Sequence, residues 1–290
     1  MAVAPITNRP LLGIALMCAA GTALPFMNAI GKLLAGAYPP AQVVWMRFLS
    51  HLVIVIALFG PRLGRALFRT TRPAIQLACS FAMLVSSTLF FTGLRYVGLA
   101  EASVINFGSP FIVMLLALPM LGERIVANRM IAVAVGFVGV VLVIQPGGDV
   151  FHWASLLILA SAGLYALYQV MIRMVAGHDR PETSIVWNVL AGTIVLGLAM
   201  PWIWVTPRSF RDAALMASLG LIGAFGHYCL ARALTYASVN VISPFNYWQI
   251  IGSVALGYAM FGELPVALTW VGTAIIVAAG LYIGWSESRK

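Results

Sequence analysis

Two asparagines lie near the middle of apolar segments that are long enough to cross a membrane, and each is flanked by other polar residues. The two sets are Ser103, Asn106 and Ser109 in one segment and Asn240, Ser243 and Asn246 in the other. Steps of three residues place each set on one face of a helix. A polar group in hydrocarbon costs free energy unless it has a partner or water. The pattern therefore predicts either hydrogen bonds between helices or a polar site for a small molecule.

Depth and neighbouring prolines favour a binding site. Asn106 and Asn246 each lie about eight residues from an end of their segment, which is roughly 12 Å into a hydrocarbon core about 30 Å thick. Pro110 and Pro244 each remove a backbone donor and leave a carbonyl free. We expect each segment to break beside its asparagine, with hinges at Gly108, Pro110 and Pro244. The broken ends would suit a zwitterion.

Other polar and aromatic residues in the apolar segments are candidates for lining the same site. Rings can stack on an apolar or aromatic group while hydroxyls and amides fix its polar groups. The full set of predicted substrate-binding residues is Asn28, Ser103, Asn106, Tyr168, Gln169, Trp187, His227, Ser243, Asn246 and Tyr247. Ordinary packing between helices is the alternative for the aromatic members and for His227.

Charged residues near the apolar segments have more than one interpretation. Arg47 lies roughly 10 Å inside the second segment, too deep for an ordinary interface anchor. It could hold a substrate carboxylate with two hydrogen bonds. Glu101 begins the fourth segment from the same side, so we expect an Arg47–Glu101 pair with a structural or gating role. Glu123 and Glu263 fall at segment ends, where a carboxylate stabilises the N-terminus of the next helix.

We predict that these residues lie on membrane-spanning helices. The chain is 62% hydrophobic and 9% charged, whereas soluble chains carry about 25% charged residues. Ten stretches approach the roughly 20 apolar residues that a spanning helix needs. They lie near residues 11–35, 41–59, 73–94, 98–120, 129–146, 152–175, 183–204, 213–235, 238–261 and 265–285. The fold class predicted is an all-α polytopic membrane protein with ten transmembrane helices.

The sequence repeats itself, which divides the chain into two halves. Residues 94–123 (LRYVGLAEASVINFGSPFIVMLLALPMLGE) align with residues 234–263 (LTYASVNVISPFNYWQIIGSVALGYAMFGE) at an offset of 140. At an offset of 141, Asn28 falls on Gln169 and Lys32 on Arg173. We place the halves at residues 1–147 and 148–290. Each half has five predicted spans, an odd number, so the repeats are inverted in the membrane, as in secondary transporters.

The distribution of Lys and Arg orients the chain. Ten of these residues fall at inner loops and ends and four at outer ends if the N-terminus is inside. Both termini are therefore predicted to be cytoplasmic, in a multi-pass protein of a bacterial-type inner membrane. The net charge of +9 reflects this placement and contact with the lipid bilayer, and we expect no nucleic-acid partner.

Residue patterns do not favour an enzyme or a channel. The chain has no HExxH, GxSxG, paired Asp or phosphate-loop motif, so no catalytic residues, metal or cofactor are predicted. No filter-like segment or charged ring indicates a channel. The three cysteines lie in apolar segments and are interpreted as small buried side chains.

The duplicated stretches also resemble the two EamA domains of the drug/metabolite transporter superfamily. The matching residues are Tyr96, Pro110, Gly122-Glu123-Arg124 and Gly139 in the first stretch, and Tyr236, Gly262-Glu263 and Gly280 in the second. The resemblance implies a carrier of small metabolites, similar to the YddG-type amino-acid exporters. Residues 27–49 also resemble a branch with S-adenosylmethionine carriers. The second domain departs from the family's frequent Glu-Pro pair, because Tyr247-Trp248-Gln249 occupies that region.

Together these observations predict an exporter or facilitator that works by alternating access. The amide and aromatic lining favours amino acids, including large or aromatic ones. S-adenosylmethionine or a drug is the alternative cargo, and a channel or an intramembrane enzyme is less favoured. The sequence leaves open the substrate, the direction of transport, ion coupling and the oligomeric state, for which a monomer is plausible.

Overall fold

The chain forms a bundle of long helices. The computed structural model describes residues 9–122, 127–148, 151–175, 178–236 and 239–288. The α-helices in these ranges are α1 (Pro10–Ala37), α2 (Pro40–Leu63), α3 (Pro73–Leu94), α4 (Leu99–Asn106), α5 (Ser109–Leu121), α6 (Ala127–Ile144), α7 (Ala154–Val175), α8 (Pro181–Ile203), α9 (Phe210–Tyr236), α10 (Val239–Asn246), α11 (Trp248–Phe261) and α12 (Ala267–Ser288). A 3-10 helix, Gly64–Phe68, follows α2.

Eight helical segments within the described ranges are long and apolar enough to cross a membrane, and Met130–Ile144 is a shorter apolar helix. The all-α membrane fold is thus confirmed, while the number of ten spans stays a prediction. The predicted span near residues 238–261 is not among the eight. It is divided at Tyr247 into helices of eight and fourteen residues.

Proline and glycine set several helix boundaries. Pro10, Pro40, Pro73 and Pro181 each stand in the first turn of a helix, where the missing N–H costs nothing and the fixed φ is already helical. The two Gly-Glu pairs of the repeat also have a physical explanation. Gly122 ends α5 with φ 67° and Gly262 ends α11 with φ 69°, a left-handed conformation that glycine adopts at little cost.

Both asparagine-bearing segments break where the sequence predicts. Helix α4 ends at Asn106 and α5 begins at Ser109, while α10 ends at Asn246 and α11 begins at Trp248. The prolines take different places in the two breaks. Pro110 lies in the first turn of α5, whereas Pro244 lies inside α10, ahead of the break.

Helices of one half pack mainly on helices of the other. Helix α1 packs on α9 and α7 packs on α3, and in the same way α2 packs on α9 and α8 on α3. Helices α6 and α12 meet at Gly139 and Gly272. A Cβ at Gly139 would lie 2.9 Å from the Gly272 carbonyl oxygen, and one at Gly272 would lie 2.6 Å from that of Gly139. Such close backbone contact between membrane helices requires small residues.

Asp179 connects the loop that precedes α3 to the loop between α7 and α8. It accepts hydrogen bonds from the Thr70 hydroxyl, from the Thr71 backbone and hydroxyl at 2.8 Å each, and from the Gln76 amide at 3.0 Å. Burial raises the pKa of Asp179, but these hydrogen bonds outweigh it and lower the pKa to about 2. The ionised carboxylate therefore stabilises the contact between the two loops.

Replacing this carboxylate should loosen the contact. In Asp179→Asn, one acceptor oxygen becomes a donor, so we expect faster tryptic cleavage of the purified protein after Arg69. Asp212→Asn, in the first turn of α9, is the control and should leave that cleavage unchanged. Because the folded-state pKa of Asp179, about 2, is below the ordinary 3.8, its stabilisation is complete above about pH 4 and is lost as pH falls through 2. Equal cleavage of Asp179→Asn and wild type would contradict the assignment.

Candidate substrate-binding cavity

A cavity of about 220 Å³ lies between helices of both halves. Six of the ten predicted binding residues line it, and these are Asn28, Ser103, Asn106, Gln169, His227 and Asn246. Pro110, one of the predicted hinges, lines it as well. The two broken segments thus bring their amides to one cavity. Asn246 is further held by the Gln249 amide, which donates to its Oδ1 at 2.6 Å.

Three predicted binding residues lie around the cavity and do not line it. Tyr168 accepts a hydrogen bond from Asn188 at 2.8 Å and stacks on Tyr165, with ring centroids 5.8 Å apart. Helical geometry explains the difference, because Tyr165 and Gln169 are four residues apart on one face whereas Tyr168 is turned by about 100° from Gln169. Tyr168 therefore supports the cavity wall from behind.

Trp187 and Tyr247 are used in packing elsewhere. The Trp187 indole donates to the Phe68 carbonyl at 3.1 Å, at the end of the 3-10 helix. The Tyr247 ring packs on Phe107, with centroids 5.3 Å apart, and its hydroxyl lies where a Cβ on Gly280 would be, 1.8 Å away. Phe107 lines the cavity. Tyr247 therefore packs behind a lining residue and does not line the cavity itself. The side chain of Ser243 falls outside the described residues. Gly108 lies at the first break, and Pro244 lies inside α10, ahead of the second.

Helix α3 supplies a wall that the sequence did not indicate. Ser86, Ser87, Phe90 and Phe91 line the cavity from this helix. The adjacent serines in an otherwise apolar segment were the available signal. Ser86 also bonds to Ser161 of α7, with 3.0 Å between the hydroxyl oxygens. The wall therefore joins the two halves as well as facing the cavity.

The structure does not pair Arg47 with Glu101. Arg47 lines the cavity and donates from Nη1 to the Ser87 hydroxyl of α3 at 3.0 Å. Its guanidinium lies 5.7 Å from the Phe48 ring centre and 5.8 Å from that of Phe91. Glu101 instead turns back over Gly98, where a Cβ would meet its carboxylate at 2.0 Å. Arg47 thus faces α3 and not α4. A different cation lies beside the first turn of α4.

That cation is Lys32, which is buried and forms an ion pair with the partly exposed Glu263. The Lys32 ammonium lies 2.5 and 2.7 Å from the two carboxylate oxygens and donates to the Val97 carbonyl at 2.8 Å. The Leu99 N–H, at the start of α4, donates to Glu263 at 3.1 Å. Glu263 thus stabilises a helix N-terminus, but of α4 and not of the following helix. We call Lys32, Val97, Leu99 and Glu263 the Lys32–Glu263 cluster; Glu123, its sequence counterpart, lies outside the described residues.

The cluster is placed directly beside the cavity. Lys32 lies one helical turn beyond Asn28 on α1, and Ser103 lies one turn beyond Leu99 on α4. Between the cluster and the cavity, the Ser103 hydroxyl meets the Ser253 hydroxyl of α11 at 2.7 Å. These contacts connect α1, α4 and the C-terminal end of α11 beside the cavity.

Comparison with known proteins shows which family the chain belongs to. A profile of the EamA-like transporter family matches residues 11–145 and again residues 152–285. The chain belongs to the EamA-like transporter family. A riboflavin transporter of Rhizobium johnstonii is 31% identical over 100% of this chain and 96% of its own length. An S-adenosylmethionine uptake transporter of Rickettsia prowazekii is 25% identical over 91% of this chain and 89% of its own.

Two further comparisons bear on this EamA protein. A pseudopaline exporter of Pseudomonas aeruginosa is 26% identical over 96% of this chain and 97% of its own length. A solved crystal structure shares the fold, with a TM-score of 0.67, 18% identity, and coverage of 97% of this chain and 98% of the other. The protein is thus a membrane transporter of small metabolites, from a family whose members differ in cargo.

The chemistry of the cavity in this EamA protein is polar, aromatic and poor in acids. Hydroxyls, amides, His227 and Arg47 line it, together with rings such as Phe90 and Tyr165, and no Asp or Glu is among the lining residues that the structure describes. Over the same described ranges, no three His, Cys, Asp or Glu side chains gather at a metal site. The arrangement can hold an organic molecule by stacking and hydrogen bonding.

Proposed function

We propose that this protein carries a small metabolite across a bacterial inner membrane by alternating access, through the cavity between its two halves. The observation that carries the proposal is the meeting of the two broken segments, with Asn106 and Asn246 lining one cavity. A site at mid-depth between repeats, beside discontinuous helices, is the arrangement that alternating access requires. The hinges proposed are Gly108 and Pro110 in the first half and Pro244 in the second.

We further propose that the halves are inverted repeats with both termini in the cytoplasm. The packing supports this. If the halves are exchanged, α1 takes the place of α7 and α9 takes the place of α3, so the α1–α9 contact corresponds to the α7–α3 contact. In the same way, the α2–α9 contact corresponds to the α8–α3 contact. The arginine-rich stretch Gly60–Arg72 then lies inside. In this orientation the Lys32–Glu263 cluster lies at the outer end of the cavity.

The proposed cargo is an uncharged or anionic heteroaromatic metabolite with many hydrogen-bonding groups, and riboflavin is the best example. Relatives named riboflavin transporters match the whole chain. The lining suits such a molecule, since Phe90, Phe91 and Tyr165 can pack on a ring system. Hydroxyls and amides can bind a polyol chain. S-adenosylmethionine fits less well, because its positive charges would meet Arg47 with no carboxylate in the described lining.

A large neutral amino acid is the second candidate. The cavity volume of about 220 Å³ favours it, since pockets for drug-sized ligands span roughly 300–1,000 Å³. Arg47 could bind the carboxylate, although no acid in the described lining would meet the ammonium group. Riboflavin would need the cavity to widen as the halves move apart.

Ligand-dependent stability of the purified protein separates these cargoes. We expect riboflavin to raise the melting temperature and S-adenosylmethionine to leave it unchanged, because a ligand stabilises the state that binds it by about 2.7 kcal/mol at 100 times its Kd. Tryptophan and phenylalanine test the second candidate in the same assay. Ribitol, which lacks the ring system, is the control for nonspecific polyol stabilisation. Stabilisation by S-adenosylmethionine alone would contradict the proposed cargo class.

A further inference from the structure

Within the part of the chain that the structure describes, Arg47 is a buried charge without a carboxylate partner, although buried charges are normally paired. Its side chain is buried, with 8% of the residue exposed. The ion pair that the described residues show joins Lys32 to Glu263. Arg47 has a single hydrogen-bond acceptor there, the Ser87 hydroxyl. A guanidinium carries five N–H donors, so most of its hydrogen-bonding capacity remains for something else.

The surroundings of Arg47 stabilise the cation only in part. The Phe48 and Phe91 rings offer a cation–π contact, but a ring does not replace the oriented acceptors that a buried guanidinium requires. The cavity is the open side of the group, because Arg47 lines it together with Ser86, Ser87 and Phe91. Arg47 is therefore a buried cation at the edge of the cavity, with N–H groups that the described residues leave without acceptors.

We propose that Arg47 selects the cargo by binding a carboxylate, or a pair of neighbouring acceptors on a heteroaromatic ring, through two parallel N–H groups. This inference rests on the proposed function and names the chemical group of the cargo that Arg47 recognises. The planar fork of arginine matches paired acceptors in a way that the ammonium of lysine does not. Riboflavin offers such a pair at ring nitrogen N1 and the neighbouring O2 carbonyl, and an amino acid offers its carboxylate.

Ser87 then has a positioning role. Its hydroxyl accepts from Nη1 and so fixes the plane of the guanidinium, while Phe91 from the next turn of α3 packs on the same group. This role explains why a serine occupies this position of α3, which the sequence did not connect with the site. Ser87→Ala should weaken cargo binding less than loss of the guanidinium does.

Paired ligands test the proposal directly. Binding is measured for riboflavin and for 1-deazariboflavin, in which N1 is replaced by C–H, with wild type, Arg47→Gln and Arg47→Lys. We expect Arg47→Gln to weaken riboflavin binding by about tenfold or more and Arg47→Lys by a smaller factor, as loss of a charge-assisted pair implies. Binding of 1-deazariboflavin should change by less than about twofold. Arg95→Gln removes an exposed arginine that does not line the cavity, and serves as the control.

The same design distinguishes an error about Arg47 from an error about riboflavin. If wild type does not bind riboflavin, the proposed cargo is wrong, and tryptophan and tryptamine then form the pair with and without a carboxylate. Equal losses for both members of the bound pair in Arg47→Gln would overturn the role of Arg47.

A measurement without cargo adds a second test, because removal of an incompletely paired buried cation should not lower the melting temperature of the protein without cargo. A clear decrease in Arg47→Gln would show a structural role and also overturn the proposal.

Discussion

Replacing Asn106 or Asn246 with leucine should abolish transport while leaving the carrier folded. Both asparagines line the cavity, and both end a short helix at a break. Leucine is close to asparagine in size but offers no hydrogen bond. Two lost hydrogen bonds of about 1.4 kcal/mol each correspond to roughly 100-fold weaker binding. Riboflavin uptake by proteoliposomes measures the effect, and the melting temperature of each variant reports on folding.

Asn188→Leu is the matched control for this prediction. Asn188 donates to the Tyr168 hydroxyl behind the cavity wall and does not line the cavity. Its loss should lower the melting temperature, because the buried tyrosine hydroxyl loses its donor. If Asn106→Leu and Asn246→Leu are also destabilised, or if they transport normally, their amides connect helices and the binding site is elsewhere.

Breaking the Lys32–Glu263 cluster should open the outer side of the cavity. Lys32→Met and Glu263→Gln each leave the other charge without its partner, at a cost near the lower end of about 3–5 kcal/mol because Glu263 is partly exposed. The double variant should regain part of this stability. A charge exchange, Lys32→Glu with Glu263→Lys, should not restore it. The Val97 carbonyl needs a donor and the Leu99 N–H needs an acceptor, and exchange reverses both.

Accessibility of a cysteine beneath the cluster measures the opening. Asn28→Cys, in a background without Cys18, Cys79 and Cys229, places a thiol one turn from Lys32 on the cavity wall. We expect a membrane-impermeant maleimide added outside to label it about tenfold faster or more in the double variant, since a few kcal/mol is enough to shift a two-state equilibrium by such a factor. Unchanged labelling would mean that the cluster only supports the fold. Tyr38→Phe is the control, because Tyr38 bonds to Asp212 at a different outer contact.

The sequence predicted those features that depend on position along a helix. Depth and three-residue spacing pointed to Asn106 and Asn246, which both line the cavity, and proline predicted the break beside each. The repeated Gly-Glu pair marked the ends of α5 and α11, where glycine has a positive φ. These inferences need only helical geometry and the local chemistry of proline and glycine.

Features that depend on how helices rotate and pair were not predicted. Lys32 and Glu263 are 231 residues apart, and the sequence does not indicate that α1 and the C-terminal end of α11 meet. Arg47 and Glu101 lie in segments that start from the same predicted side, yet Arg47 faces α3. Ser86 and Ser87 lie in a segment that is apolar on most faces, so its periodicity does not reveal which face meets the cavity.

Counterflow in proteoliposomes tests the central claim most directly, that a carrier exchanges its cargo through the cavity between the two halves. Vesicles with the wild-type protein are loaded with unlabelled riboflavin and diluted into a trace of labelled riboflavin, without Na⁺ or a pH difference. We expect labelled riboflavin to accumulate transiently above its equilibrium level, and we expect no such accumulation in vesicles with Asn246→Leu. Entry that rises linearly with concentration and never exceeds equilibrium, or equal accumulation with Asn246→Leu, would contradict the claim.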